Sequence, residues 1–181
     1  MLINLEEKEL LDKAKQGNKH CLNLLLQNNY QMLYGFLIKL TGDKDLAEDL
    51  VQDTLLKVSL NINKFRGDSK FSSYLIQIVI NTHKNYLRKN KIRTENDKFE
   101  FKASYHGEED LINHISFKEA LSHLNSMPYE KRISFILKHY YGYSIEEISQ
   151  ILKVSSGTTK SRIHDYIMLK KTDYTIYQKK N

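Results

Sequence analysis

Two stretches of this sequence carry residue types suited to holding a polyanion. The first runs from Asn81 to Arg93 and contains Lys84, Arg88, Lys89, Lys91 and Arg93, with Asn81, His83, Asn85 and Tyr86 interleaved and no acid. Cationic side chains attract phosphates, while amide and aromatic groups can hold unpaired bases by hydrogen bonding and stacking. A helix end made basic to complement its own dipole would read the same way. The second stretch is Ser156-Gly157-Thr158-Thr159-Lys160-Ser161-Arg162-Ile163-His164. Small and hydroxylic residues come first and basic ones follow. That order suits a helix whose N-terminal amides approach phosphates while side chains one turn on reach base edges in the major groove. The alternative is an amphipathic hairpin with a solvated basic face. A third constellation has the opposite sign: Asp45, Glu48, Asp49, Gln52 and Asp53 form an acidic cluster between basic segments. It is either a solvated surface or a protein-docking patch.

Catalytic chemistry finds little support. The seven histidines fall in no HExxH or Cys/His ligand spacing, and no glycine-rich phosphate loop is present. His20-Cys21 reads as packing, and Glu108-Glu109-Asp110 as solvation of a polar segment. The expectation is a non-enzyme with no cofactor and no metal. A net charge of +6, from 28 basic and 22 acidic residues, fits a polyanionic partner, though it would also serve solubility alone. The single cysteine excludes an intramolecular disulfide and fits a reducing compartment. No signal peptide is recognisable at the N-terminus, and no run approaches the roughly 20 apolar residues that cross a bilayer. A cytoplasmic protein without membrane insertion is expected.

These groups must be positioned by helices. Proline occurs once, at Pro128, and glycine seven times, too few breakers for a turn-rich β fold. Apolar residues at three- and four-residue steps predict helices over 5–16, 20–40, 44–60 and 70–91. Residues 92–114 are polar, mixed in charge and aperiodic, and read as a largely disordered linker with at most a helical turn near 110–114. A further helix, marked by Phe117, Ala120, Leu121 and Leu124, stops before Pro128, and others are predicted over 129–140, 144–152 and 156–169. Ser144 with Glu147 three residues on has capping-box spacing, and the last two helices form a helix-turn-helix. The expected architecture is all-α: two small helical domains, 1–91 and 115–181, joined by the linker.

At these residues the chain resembles the extracytoplasmic-function sigma factors, the small promoter-recognition subunits of RNA polymerase, and within them the sigma-Y-like group. Asp43 to Thr54 resembles the family's region 2.1–2.2, Lys64 to Leu75 its region 2.3, Ile80 to Arg88 its region 2.4, and Tyr143 to Arg162 its region 4.2. The four occur in the family's order, three before the linker and one after it.

The resemblance implies a two-domain sigma factor that binds core RNA polymerase through its β′ and β subunits. Asp49, Gln52, Asp53 and Leu56 would dock on a coiled coil of β′. A loop bearing Lys64, Arg66, Ser69, Lys70 and Phe71 would capture a base flipped from the −10 element. Asn81 and Asn85 would face −10 bases, with Lys84 and Arg88 on the backbone. The −35 duplex would meet Ser156, Thr158, Thr159, Lys160, Ser161, Arg162 and His164. A partner anti-sigma protein is also implied. Three residues depart from the family's pattern. Tyr74 replaces a common tryptophan, an aromatic exchange in packing. Thr159 replaces a usual valine, which would loosen the recognition-helix core. Asp165 stands where the family is often basic. Two other classes fit parts of the sequence: a DNA-binding regulator that never joins polymerase, and an interaction module built on the N-terminal helices.

Overall fold

The computed structural model describes residues 5–90 and 121–164. Every described element is helical, and the chain divides into two compact units. The expected linker at 92–114, the basic residues Lys91 and Arg93, and Asp165 lie outside the described residues.

The first unit contains α1 (Leu5–Lys15), α2 (Lys19–Thr41), α3 (Lys44–Asn61), a 3-10 turn (Ile62–Lys64) and α4 (Phe71–Lys89). Local chemistry sets the boundaries. The Asn18 side chain accepts the Cys21 N–H at 3.0 Å and starts α2. Gly42, at φ 70°, ends it and donates its N–H to the Ile38 carbonyl. Asp43 then accepts the Leu46 N–H at 3.0 Å and starts α3. Each such side-chain cap contributes about 1 kcal/mol.

Helix α1 packs on α2, α2 on α3, and α4 against both α3 and α2. Leu33, Phe36, Leu37 and Leu40 of α2 meet Ala47, Val51 and Val58 of α3 and Leu75, Ile76 and Val79 of α4 in a buried core. Burying each of the larger side chains stabilises by about 1.5–3 kcal/mol relative to exposure.

The second unit contains helical residues 121–125 (α5), α6 (Tyr129–His139), α7 (Ile145–Leu152) and helical residues 156–164 (α8). Pro128 precedes α6 with φ −54°, a position where its missing N–H leaves no helical bond unmade. Leu121, Leu124, Ile133, Ile136, Leu137 and Ile148 form the core. Arg132 is 5 % exposed. Its Nη1 donates to Asn125 Oδ1 at 3.1 Å, and its Nη2 donates to the carbonyls of Asn125 at 2.8 Å and Met127 at 3.1 Å. The guanidinium thereby satisfies carbonyls that the end of α5 leaves without helical partners, and burial lowers its pKa. Nothing in the sequence pattern had marked it. Among the described residues, no helix is long and apolar enough to cross a membrane.

Candidate nucleic-acid interface

Helix α8 is placed by the helix before it. The Ser144 hydroxyl accepts the Glu147 N–H at 3.1 Å while the Glu147 carboxylate accepts the Ser144 N–H at 2.8 Å, the reciprocal box predicted from spacing. Helix α7 ends at Lys153 in the left-handed region, φ 54°. That conformation costs a side-chain-bearing residue about 1–2 kcal/mol and reverses the chain in a single step. Ser155 then caps α8: its Oγ accepts the Thr158 N–H at 3.1 Å and lies 2.9 Å from the Thr158 hydroxyl.

Thr159 and Ile163, one turn apart, face the core of the unit. At about 100° per residue, this turns Ser156, Gly157, Lys160, Ser161 and His164 outward, and all five are exposed. One expected contact, Thr159, is corrected. Thr159 has no exposed surface, and its hydroxyl donates to the Ser155 carbonyl at 3.2 Å. It therefore cannot reach a duplex, and its polar atom is satisfied where valine would have none. Arg162 lies on the flank of α8. Its Nη1 sits 3.2 Å from Glu130 Oε2 of α6, an ion pair without hydrogen-bond alignment, and its side chain is only 21 % exposed. Thr158 is exposed, but its hydroxyl is engaged by Ser155.

In the first unit, Asn81, Asn85 and Arg88 fall at i, i+4 and i+7 on α4 and are all exposed, with Lys84 half-buried beside them. Thr82, His83 and Leu87 are buried on the opposite side. His83, counted in the sequence with the basic stretch, is 2 % exposed and belongs to the core. It continues the inward stripe of Val79 and Ile80. Thr82 Oγ1 accepts from Lys57 Nζ at 3.1 Å, tying α4 to α3.

The loop before α4 is pinched at its base. Phe65 and Phe71 are buried and meet edge-on, with ring centroids 5.3 Å apart. Tyr74 lies 5.0 Å from Phe65 and 6.0 Å from Phe71, in the packing position expected of an aromatic exchange. Lys15 of α1 places its Nζ 5.4 Å from the Phe65 centroid. Such aromatic pairs add about 0.5–1.5 kcal/mol each beyond area burial. Phe71, expected to touch a base, is instead part of this anchor. Lys64, Arg66, Asp68 and Ser69 are exposed and Lys70 is half-buried. Gly67 takes φ 87°, and a Cβ there would meet nothing within 4 Å, so backbone conformation, not crowding, requires the glycine.

The exposed side of α3 carries Asp45, Glu48, Asp49, Gln52 and Asp53 in its first half. Leu56 and Leu60 follow, 59 % and 75 % exposed. The face thus changes from acidic to apolar along its length. The sequence expectation places Leu60 at the end of a helix and assigns it no contact. Its spacing, four after Leu56 and seven after Asp53, was the signal available. Beside this face a groove of about 420 Å³ runs between α2 and α3, lined by Asn23, Leu26, Gln27, Tyr30, Gln31 and Leu55. Tyr34 stacks near-parallel to Tyr30 at 6.2 Å. Burial, then the negative charge of Glu48, raise its hydroxyl pKa.

Comparison with known proteins follows the same division. Residues 25–92 match the family described as Sigma-70 region 2, and residues 118–165 match Sigma-70, region 4. The sequence is 31% identical over 132 residues to the ECF RNA polymerase sigma factor EcfG of Rhodopseudomonas palustris, covering 73% of each chain. It is 27% identical over 175 residues to the ECF RNA polymerase sigma-E factor of Haemophilus influenzae, covering 90% of this chain and 92% of that one. Among solved structures, the sigma factor RpoE of Bartonella quintana, in complex with the anti-sigma factor NepR, superposes with a TM-score of 0.65 at 28% identity, over 80% of this chain and 90% of that one. CnrH, in complex with the cytosolic domain of CnrY, shares the fold with a TM-score of 0.69 at 18% identity, over 90% and 93%.

Proposed function

Because the chain belongs to the extracytoplasmic-function branch of the sigma-70 RNA polymerase sigma factors, we infer that the three surfaces described above divide the work of promoter-specific initiation. The protein binds core RNA polymerase and directs it to promoters. The relatives named above do not carry the narrower sigma-Y-like grouping.

In our reading, the exposed Asn81–Asn85–Arg88 stripe of α4 and the exposed loop from Lys64 to Lys70 hold the −10 element. Extruding a base costs a few kcal/mol of stacking, which a loop can offset with hydrogen bonds and stacking. With Phe71 in the core, that contact falls to Lys64, Arg66, Ser69, Lys70 and the loop's backbone. The outward face of α8, through Ser156, Lys160, Ser161 and His164, reads the −35 duplex. The acidic half of α3, through Asp49, Gln52 and Asp53, meets a basic part of core polymerase, with Leu56 and Leu60 extending the contact into apolar surface. We assign the chain no catalysis of its own and place its work in the cytoplasm. The relative solved with NepR supports an anti-sigma protein as a further partner.

One observation carries this reading. Amide and cationic side chains are exposed along one stripe of α4 whose opposite side is wholly core. A helix end needing only dipole complementation has no use for Asn81 and Asn85. The test is binding of reconstituted holoenzyme to promoter and non-promoter DNA. Asn81→Ala with Asn85→Ala should lower occupancy of the promoter, with the loss confined to templates bearing an intact −10 element. An equal loss on every sequence would sink the assignment.

A further inference from the structure

The Glu130–Arg162 ion pair joins the first turn of α6 to the flank of α8. It is a peculiar use of both residues. Arg162 sits in the helix read as facing DNA, yet its guanidinium points back across its own unit. Glu130 is an acid placed beside a surface that must approach a polyanion. We propose that Glu130 is a positioning residue for −35 recognition: through Arg162 it fixes the rotation of α8, so that Lys160, Ser161 and His164 face the groove, while Arg162 itself touches no DNA. The inference rests on the reading of α8 given above.

The geometry supports a strut. Thr159 and Ile163, one turn apart, are the buried residues of α8 among those described, and a stripe so narrow resists sliding more than rolling about the helix axis. The ion pair lies to one side of that inner stripe and resists rolling. Lys160, two residues before Arg162, lies about 200° around the helix, so a roll that freed Arg162 toward DNA would carry Lys160 away from it.

Simple electrostatics and the strut predict opposite signs. Removing an acid near phosphates should strengthen DNA binding, whereas removing a strut should weaken it. The experiment measures the affinity of reconstituted holoenzyme for a promoter with an intact or scrambled −35 element, over a series of salt concentrations. Under the proposal Glu130→Gln weakens the −35-dependent part roughly 5- to 20-fold. Arg162→Gln weakens it to a similar degree with an unchanged salt slope, because no phosphate contact is lost. The exchanged pair Glu130→Arg with Arg162→Glu recovers most of the affinity. If Glu130→Gln binds as well as or better than the parent, or Arg162→Gln flattens the salt slope by about one, the strut is overturned. Should the exchanged pair not fold, the sign of the Glu130→Gln effect still decides. Lys160→Ala serves as the separate control: unaltered −35-dependent binding in that variant would fault the reading of α8 as the DNA helix, independently of the strut.

Discussion

A hydroxyl and a methyl decide how Thr159 is read. Its place in a run of polar residues made it look like a groove contact, and its departure from valine made it look like a packing defect. The groove contact fails on one fact: the residue is fully buried, with its hydroxyl donating to the Ser155 carbonyl. Replacing a satisfied buried polar group with an apolar one of similar shape is nearly neutral or stabilising. Thr159→Val should therefore leave promoter affinity unchanged and keep or raise the melting temperature, whereas Thr159→Ser, which loses the buried methyl, should cost about 1 kcal/mol in a denaturant titration. Phe71 and His83 teach the same lesson. Residue type gave their chemistry, but the face on which they fall depends on the phase of the helix, and that was legible only for outward residues such as Asn81, Asn85 and Lys160. Tyr141 adds a pH dependence. Burial pushes its pKa up to about 12, and burial raises that of Tyr129 as well. A tyrosine whose folded pKa lies above its unfolded value of about 10 contributes stability that is complete below that pH and is lost as pH climbs toward about 12. The second unit should melt at lower temperature at pH 11 than at pH 9, and Tyr141→Phe should flatten that dependence in thermal scans followed by circular dichroism.

Helices were the most legible level. Their number and order in the described residues follow from apolar spacing, and Gly42, Asp43, Pro128 and Ser144 lie at boundaries as their chemistry dictates. Two features escaped. The 3-10 turn after α3 carries no signature beyond the buried Ile62, and the left-handed Lys153 stands where glycine would have been the obvious marker. Helix α3 shows how an element presents a surface. Its buried stripe holds it to α2 and α4, and its far side runs from carboxylates to two exposed leucines. Because Leu60 is 75 % exposed, Leu60→Ser should not lower the melting temperature, but it should reduce association with core polymerase about 5- to 10-fold, about the loss of one or two buried methylenes. An unaltered affinity in a competition titration would confine the docking surface to the acidic half. The capping box gives a complementary expectation. Ser144→Ala should cost the second unit about 1 kcal/mol, visible in its thermal midpoint.

At the level of the whole molecule, two weak readers on one chain outperform either alone because the second contact forms at high effective concentration. Cutting the chain within residues 92–114 would return that contact to bulk solution. With each half at micromolar concentration, the gain from an intact −35 element should fall by roughly 10²-fold in transcription assays on paired templates with and without that element. Composition had signalled such a division, through the change from periodic to aperiodic sequence after residue 91, but the family resemblance, not the spacing, told which end reads which element. Within the first unit, Lys15 resting over Phe65 links the opening helix to the foot of a loop some fifty positions later in the chain. Fusing a tag close ahead of α1, or trimming that helix, is then not a neutral convenience: whatever unseats α1 also removes the cation resting on the aromatic foot of the loop.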